Sequence, residues 1–254
     1  MRLSVCPHDM VKQLQSWLTF AAYLQKVLDE PVTLEPVTDF TTFYERALPQ
    51  AELAFVNPLD AWHLHSERGF TPLCGTEAPD EVVFIAHPDD EEATLKDFAG
   101  QVVAAVERQF ATALGLYVLC ERGIEVDGIR PFPSWVQVIQ AVVRCQVRFG
   151  LLYQDFYAGL SRLTRRQFRV VYESHTGYAT HMLLLHPDCA AERERLMAAL
   201  TAMPQDAEGA TILAALRVGR WVPAEDLGLI AQVLSAADEQ REPCVSQALT
   251  HPRQ

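Results

Sequence analysis

The chain has 254 residues, 49% of them hydrophobic, which allows one large domain or two smaller ones with their own cores and excludes a disordered chain. Its 33 acidic and 21 basic side chains leave a formal net charge of −12, a surface that repels nucleic-acid phosphates and anionic lipid headgroups. The longest apolar runs, such as 82–86 and 182–185, are about five residues against the ~20 that span a bilayer. Neither nucleic acid nor membrane insertion is therefore expected. Cys6, Cys74, Cys120, Cys145, Cys189 and Cys244 are scattered without a C-x-x-C pair, which favours reduced, packed thiols over a disulfide framework or zinc knuckle. Met1-Arg2 runs directly into a strand-like stretch ended by Pro7, with no hydrophobic leader. The chain as written is expected in the cytoplasm, or in the periplasm if a leader was removed.

In chain order, Leu3 to Cys6 predicts a first strand. A helix follows in which Val11, Leu14, Trp17, Leu18, Ala21, Ala22, Leu24 and Leu28 recur at helical spacing and predict a buried face. Pro31 to Val37 is β-branched and bounded by turn formers. Asp39 can cap a helix carrying Phe43, Tyr44 and Leu48, and Ala51 to Val56 reads as a third strand. After the Asn57-Pro58-Leu59 turn come a helix with Trp62 and Leu64, an irregular stretch from Gly69, and the strand Val82 to Ala86.

The acidic turn Pro88-Asp89-Asp90-Glu91-Glu92 and the segment Leu95 to Gly100 open a second set of elements. It comprises a strand 101–106, helices 111–122 and 135–144, and strands 147–152 and 168–173. Met182 to Leu185 then echoes Phe84 to Ala86, each strand trailed by His-Pro-Asp. Helices over 189–202, 209–216 and 226–236 follow, with a polar tail beyond Asp238. This alternation predicts an α/β protein of two lobes, lobe 1 from 1–87 with 176–254 and lobe 2 from 88–175.

Several stretches resemble the phosphate/phosphite/phosphonate family of ABC-transporter substrate-binding proteins. They are the strand ending at Pro7, Ala22-Tyr23-Leu24, the run Pro31 to Phe40, Ala54-Phe55-Val56-Asn57-Pro58-Leu59, the lead-in Leu95 to Gly100, and Phe168 to Ser174. The resemblance implies a type II periplasmic-binding-protein-like fold, with mixed sheets flanked by helices and a ligand cleft between lobes. It also implies a non-enzymatic protein that closes over a small ligand and needs no cofactor or metal. In the family a Ser-Thr-Ser run opens a helix and holds phosphonate oxygens. Here that place falls on Arg108-Gln109-Phe110, with Thr112 a turn later.

A family histidine falls at Ser134 or Trp135, and a family acidic residue at Arg148 or Tyr153. The loops of lobe 1 add Pro7, His8, Phe40, Thr41, Asn57, Ala61 and Trp62 as candidates. Two readings stay open: Arg108 supplies a guanidinium fork for an oxyanion, or Phe110 and Trp135 retune the site for an apolar or aromatic ligand. The implied partners are a small molecule, an oxyanion in the first reading, and an ABC permease or a signalling protein.

Two other classes compete. Ala86-His87-Pro88-Asp89-Asp90-Glu91 is similar to a motif of zinc-dependent N-acetylglucosamine deacetylases, in which such a His and Asp bind metal and the other Asp acts as base. The downstream His-x-x-His of that family is missing, and Pro-Asp-Asp is ordinary turn chemistry, so a turn is preferred. His63-x-His65 is expected on a helix, where i and i+2 diverge, and His175, His181 and His186 read as surface residues. Cys6, beside His8, reads as a packed thiol rather than a reactive one. Arg162, Arg165, Arg166 and Arg169 read as a solvated face. A scaffold with a vestigial cleft is the third class.

Overall fold

The structure, a computed structural model, describes residues 1–224 and 227–241, with backbone alone at 239–241. Cys244, Asp226 and the expected tail from 242 onward lie outside the described residues. The chain divides into unit 1, Met1–Asp80 with Gly177–Ile230, and unit 2, Glu81–Thr176 with the chain from Ala231.

Unit 1 begins with β1 (Arg2–Val5), α1 (Pro7–Leu28), β2 (Thr33–Leu34) and α2 (Phe40–Thr42), which continues through helical turns to Gln50. It proceeds through β3 (Leu53–Val56), α3 (Pro58–Arg68) and β4 (Thr71–Pro79). Unit 2 carries β5 (Val82–Ala86), β6 (Val102–Ala105), α4 (Phe110–Cys120), β7 (Gly128–Pro131), α5 (Trp135–Val143), β8 (Phe149–Tyr153), α6 (Gln154–Ala158), α7 (Arg162–Arg165) and β9 (Arg169–Glu173). The chain returns to unit 1 with β10 (Thr180–Leu185), α8 (Arg193–Ala202), α9 (Ala207–Leu216) and β11 (Val222–Pro223), and α10 (Leu227–Arg241) follows.

In unit 1 the strand order is β11-β4-β10-β3-β1-β2, with β2 and β3 parallel to β1, and β10 antiparallel to β3 and β4. In unit 2 it is β7-β6-β8-β5-β9, with β7 and β8 parallel to β6, and β5 antiparallel to β8 and β9. These are the mixed sheets with flanking helices expected of the fold. The strand Val82–Ala86, expected to close lobe 1, instead lies in the sheet of unit 2, where its fully buried Phe84 meets Phe98 at 5.5 Å.

α1 starts at Pro7, where a missing N–H is harmless, and ends on Asp29 in the left-handed region (φ 51). Its buried face is Met10, Trp17, Phe20, Ala21, Leu24 and Leu28, with Trp17 tilted against Phe55 at 4.6 Å. Val11, Leu14 and Leu18, expected inside, are exposed. Gln13 has non-helical backbone angles (φ −143, ψ 34), so Val11 before it does not continue the phase set by Trp17 and Phe20, while Leu14 and Leu18 after it lie to one side of the face of Trp17, Phe20 and Leu24. β4 falls in the stretch expected to be irregular. Its two prolines hid it, and it is accommodated through register shifts against β10. β7 and β11 were likewise not expected, and β2 is two residues where 31–37 was expected.

α4 is apolar on every side and buried from Phe110 to Leu116, as a helix inside a core must be. It lies close to β8: a Cβ on Gly115 would stand 2.7 Å from a Leu151 methyl. Asp39 caps α2 as expected, accepting from the Thr42 N–H at 2.8 Å. The helix expected over 189–202 is a tight turn, Pro187–Glu192, followed by α8.

Parallel pairing places the carboxyl ends of β1, β2 and β3 at one edge of the first sheet, joined by the amino end of β10 and the carboxyl end of β4. The second sheet gathers the carboxyl ends of β6, β7 and β8 in the same way. Such edges are where α/β folds present helix N-termini and loops to ligands.

Candidate functional site

The edge of unit 2 collects the candidates of lobe 2 except Arg148, which precedes β8 at the opposite end of that strand. After β6 the chain turns through Arg108, exposed and in the left-handed region (φ 55). Gln109 precedes α4 in extended geometry (φ −120, ψ 136), and no side chain caps the helix. Its own amide donates instead to the Arg108 carbonyl at 3.0 Å. Phe110 is fully buried, and Thr112 donates its hydroxyl to the Val106 carbonyl at 2.7 Å. Phe110 and Thr112 thus tie the end of β6 to the first turn of α4.

The Phe132 N–H donates to the Ala105 carbonyl at 2.8 Å, extending the β6–β7 pairing toward α5. Ser134 caps that helix through the Gln137 N–H, and Trp135 is its first residue, 4% exposed. The Trp135 indole N–H is buried with no hydrogen-bond acceptor among the described residues. Its ring lies 6.4 Å from Phe156. Tyr153, half-buried, ends β8 at the same edge.

In unit 1, Pro7 and His8 open α1 directly beyond β1. Asn57 is buried and committed to the fold: its carbonyl oxygen accepts from the Leu59 and Asp60 N–H groups at 3.0 and 3.3 Å. Its amide donates to the Asp60 carboxylate at 2.7 Å, which also accepts from the Tyr44 hydroxyl at 3.1 Å. Phe40 stacks on Tyr44 with centroids 6.1 Å apart, and Thr41 beside it is exposed. Ala61 is fully buried, and Trp62, one turn into α3, is half-buried with its ring edge-on to His63.

One cluster at this edge was not anticipated. His181, at the amino end of β10, is buried rather than on the surface. Its Nδ1 lies 2.8 Å from the Asp80 carboxylate and its Nε2 3.3 Å from that of Asp9. Burial by itself would lower the imidazole pKa, but Asp80 and then Asp9 more than reverse this, so the ring is held well above its ordinary value. Cys6 completes the group. Burial pushes its thiol up to about 11, only partly offset by a hydrogen bond to His181. The Cys-Pro-His-Asp run from Cys6 was visible in sequence, but Asp80 and His181 lie 101 residues apart, and only the β4–β10 pairing brings them together.

A family model for the periplasmic substrate-binding protein of phosphonate ABC transporters matches residues 3–227. The chain belongs to this family. Its members are non-enzymatic solute-binding proteins of two lobes. Among solved structures, one similar to it is PhnD1 from Prochlorococcus marinus in complex with methylphosphonate, 16% identical, covering 94% of this chain and 98% of that one with a TM-score of 0.74. A binding-protein component of a Pseudomonas aeruginosa ABC phosphonate transporter is 15% identical, with 94% and 87% covered and a TM-score of 0.75. A Xanthomonas citri protein bound to chloride ion is 16% identical, with 95% and 98% covered and a TM-score of 0.73. At these identities the likeness is one of fold. No curated protein sequence matches the chain.

Within this solute-binding family member, the competing motifs resolve into structure. Asp90 is turned to Arg148, which donates to its carboxylate at 2.8 and 3.4 Å, while the Asp89 N–H donates to His87 Nδ1 at 3.3 Å. His186 receives the Asp188 N–H in the same way at 3.1 Å, so both His-Pro-Asp runs are turns capped by their own histidine. His63 and His65 diverge on α3, toward Glu67 and toward the Phe70 carbonyl. Two of the four clustered arginines serve the fold: Arg165 over the Tyr157 ring, and Arg169 donating to the Asp90 carbonyl at 2.6 Å. No described helix is long and apolar enough to cross a membrane.

Proposed function

We propose that this protein captures a small oxyanion of the phosphonate and phosphate type at the α4–α5 edge of unit 2 and presents it to an ABC permease, with closure of the lobes as the consequence of binding. The buried Trp135 indole N–H without an acceptor carries this reading. A buried donor left unpaired costs about 1–3 kcal/mol, a cost that an acceptor on a bound molecule removes. The first turn of α4, which no side chain caps, adds backbone N–H groups and the positive end of the helix dipole at the same edge. Arg108, exposed in the turn before it, adds a cation able to bind two oxygens at once. The family's hydroxyl cradle would then be replaced here by a guanidinium, an indole N–H and bare backbone. Methylphosphonate, which PhnD1 from Prochlorococcus marinus holds, is the natural first probe.

Calorimetric titration of the full chain with methylphosphonate, phosphate, phosphite and sulfate tests this. Saturable one-to-one binding by one of them is expected, weakened about tenfold or more by Trp135→Phe, which keeps the ring and removes the donor. Arg108→Ala is expected to weaken it further. Heat of binding for none of these anions, or binding indifferent to both substitutions, would overturn the reading.

A further inference from the structure

The cluster at the edge of unit 1 has the composition of a metal site. Cys6, Asp9 and His181 each offer one ligand atom, and these atoms lie within 4.8 Å of one another. Nε2 of His181 and Oδ2 of Asp9 are 3.3 Å apart. A tetrahedral centre with bonds of about 2.0–2.1 Å to nitrogen and oxygen has edges of roughly 3.3 Å, so this pair already spans one such edge. Asp80 holds Nδ1 of the same ring at 2.8 Å. That is the carboxylate–histidine arrangement by which outer-shell groups fix the ring and aim its other nitrogen at a metal.

The backbone fixes the donors as well. Cys6 lies between β1 and α1, Asp9 is in the first turn of α1, and His181 lies in β10 with its ring against Phe55 at 5.4 Å. The charge balance points the same way. Asp9 and Asp80 bring two carboxylates to the two ring nitrogens of His181, at 3.3 and 2.8 Å.

We propose that Cys6, Asp9 and His181 form a three-ligand site for a zinc-class transition-metal ion, with Asp80 orienting the histidine. Thiolate, imidazole and carboxylate together select zinc or cobalt over magnesium or calcium, which take oxygen ligands. Three protein ligands leave one tetrahedral position for water or an anion's oxygen.

The test is a Co²⁺ titration of the full chain after chelator treatment and dialysis, with no phosphonate or phosphate present, so that it reads the metal independently of oxyanion capture. One Co²⁺ per chain is expected, with the near-ultraviolet thiolate-to-cobalt absorption and strong visible bands of a four-coordinate ion, both lost when Zn²⁺ is added. Cys6→Ser should abolish the thiolate band, and Asp9→Asn should weaken uptake at least tenfold. Asp80→Asn should weaken it about 10–100-fold while keeping the band. Cys145→Ser, at an exposed cysteine, should change nothing. If circular dichroism shows Cys6→Ser unfolded, Asp9→Asn decides. Absence of saturable Co²⁺ and Zn²⁺ uptake by the wild-type chain, or uptake unaltered in the folded variants, would overturn the site.

Discussion

The two units repeat one plan and fill it with different balances of charged and neutral groups. Each carries a mixed sheet, parallel strands whose carboxyl ends share an edge, and a helix that follows a strand without a side-chain cap, α1 directly after β1 and α4 after β6 and the Arg108 turn. At the edge of unit 1 the groups are mostly ionisable: buried Asp80, His181 and Cys6, the half-buried Asp9, and Asp60 held by Asn57. At the edge of unit 2 they are the apolar or neutral Phe110, Thr112 and Trp135, with one carboxylate, Glu81, that accepts from the Ser174 and Thr176 hydroxyls. A buried charge demands a partner of fixed geometry, whereas a buried neutral donor demands only an acceptor. Unit 1 therefore pairs its ionisable groups with one another at this edge, and unit 2 places an unpaired indole N–H there, as unit 1 does in its core at Trp17.

The largest break in this contrast should come from Asp80→Ala. Removing one partner of a buried ion pair leaves the other charge uncompensated, at about 3–5 kcal/mol, and the Asp80 and His181 side chains are 3% and 7% exposed. Chemical denaturation of the two proteins side by side measures the loss, and a cost below 1 kcal/mol would show that Asp9 alone satisfies the ring. The same cluster should make stability fall with rising pH. The native state holds the His181 pKa above the ordinary value of about 6.5. Its contribution is then complete below about pH 6.5 and is lost as pH rises through the raised native value. Asp80, Asp9 and Cys6 face the ring, so the profile of His181→Gln serves as reference. The melting temperature of wild type should fall relative to that variant from neutral toward alkaline pH, and parallel profiles would remove the assignment.

In unit 2 the comparable substitution is Thr112→Val, which keeps the shape and deletes the bond to the Val106 carbonyl. A loss of about 1–3 kcal/mol is expected, smaller because no charge is stranded. Gly115→Ala probes the same helix one turn further on. The added Cβ meets a Leu151 methyl at 2.7 Å, and a modest shift of that side chain should hold the cost near 1 kcal/mol. A larger loss, read from the denaturation midpoint, would mean that α4 cannot yield against β8.

Where the sequence was legible, the signal was local. The strands at 82–86 and 182–185 are continuous apolar runs in buried strands, and Asp39 is a cap placed directly before a helical pattern. The misreadings have physical causes of three kinds. β4 contains Pro72 and Pro79, which suit bulged antiparallel pairing but hide a strand from pattern reading. Val11 fits the helical period but is separated from the packed turn of Trp17 by non-helical angles at Gln13, while Leu14 and Leu18 lie to one side of the face that Trp17, Phe20 and Leu24 bury. His181 carried no local signal, because its two carboxylates arrive from α1 and from the end of β4. Within the candidate site, the sheet edges collect the residues obtained by counting, Arg148 excepted, yet Asn57 and Thr112 turn out to be bound into the fold. The open indole N–H of Trp135 could be seen only once its surroundings were known.

The smallest expected effect concerns the paired His-Pro-Asp turns, one in each unit. Both histidines accept the N–H two residues on, and both first aspartates, Asp89 and Asp188, are largely exposed at 91% and 88%. The turns differ in the next residue: Asp90 in unit 2 accepts from Arg148, where unit 1 has Cys189. The Arg148 side chain is 44% exposed, so its pair with Asp90 is worth no more than a surface ion pair, about 0.2–1 kcal/mol and less in salt. Arg148 also covers the Phe149 ring at 4.7 Å, so Arg148→Ala removes packing as well as charge, whereas Asp90→Asn removes charge alone. Asp90→Asn should therefore cost less than Arg148→Ala, and its cost should vanish in 1 M salt while part of the other remains. If both costs vanished together, the arginine would act by charge alone, and the two turns would differ only in an interaction that salt removes.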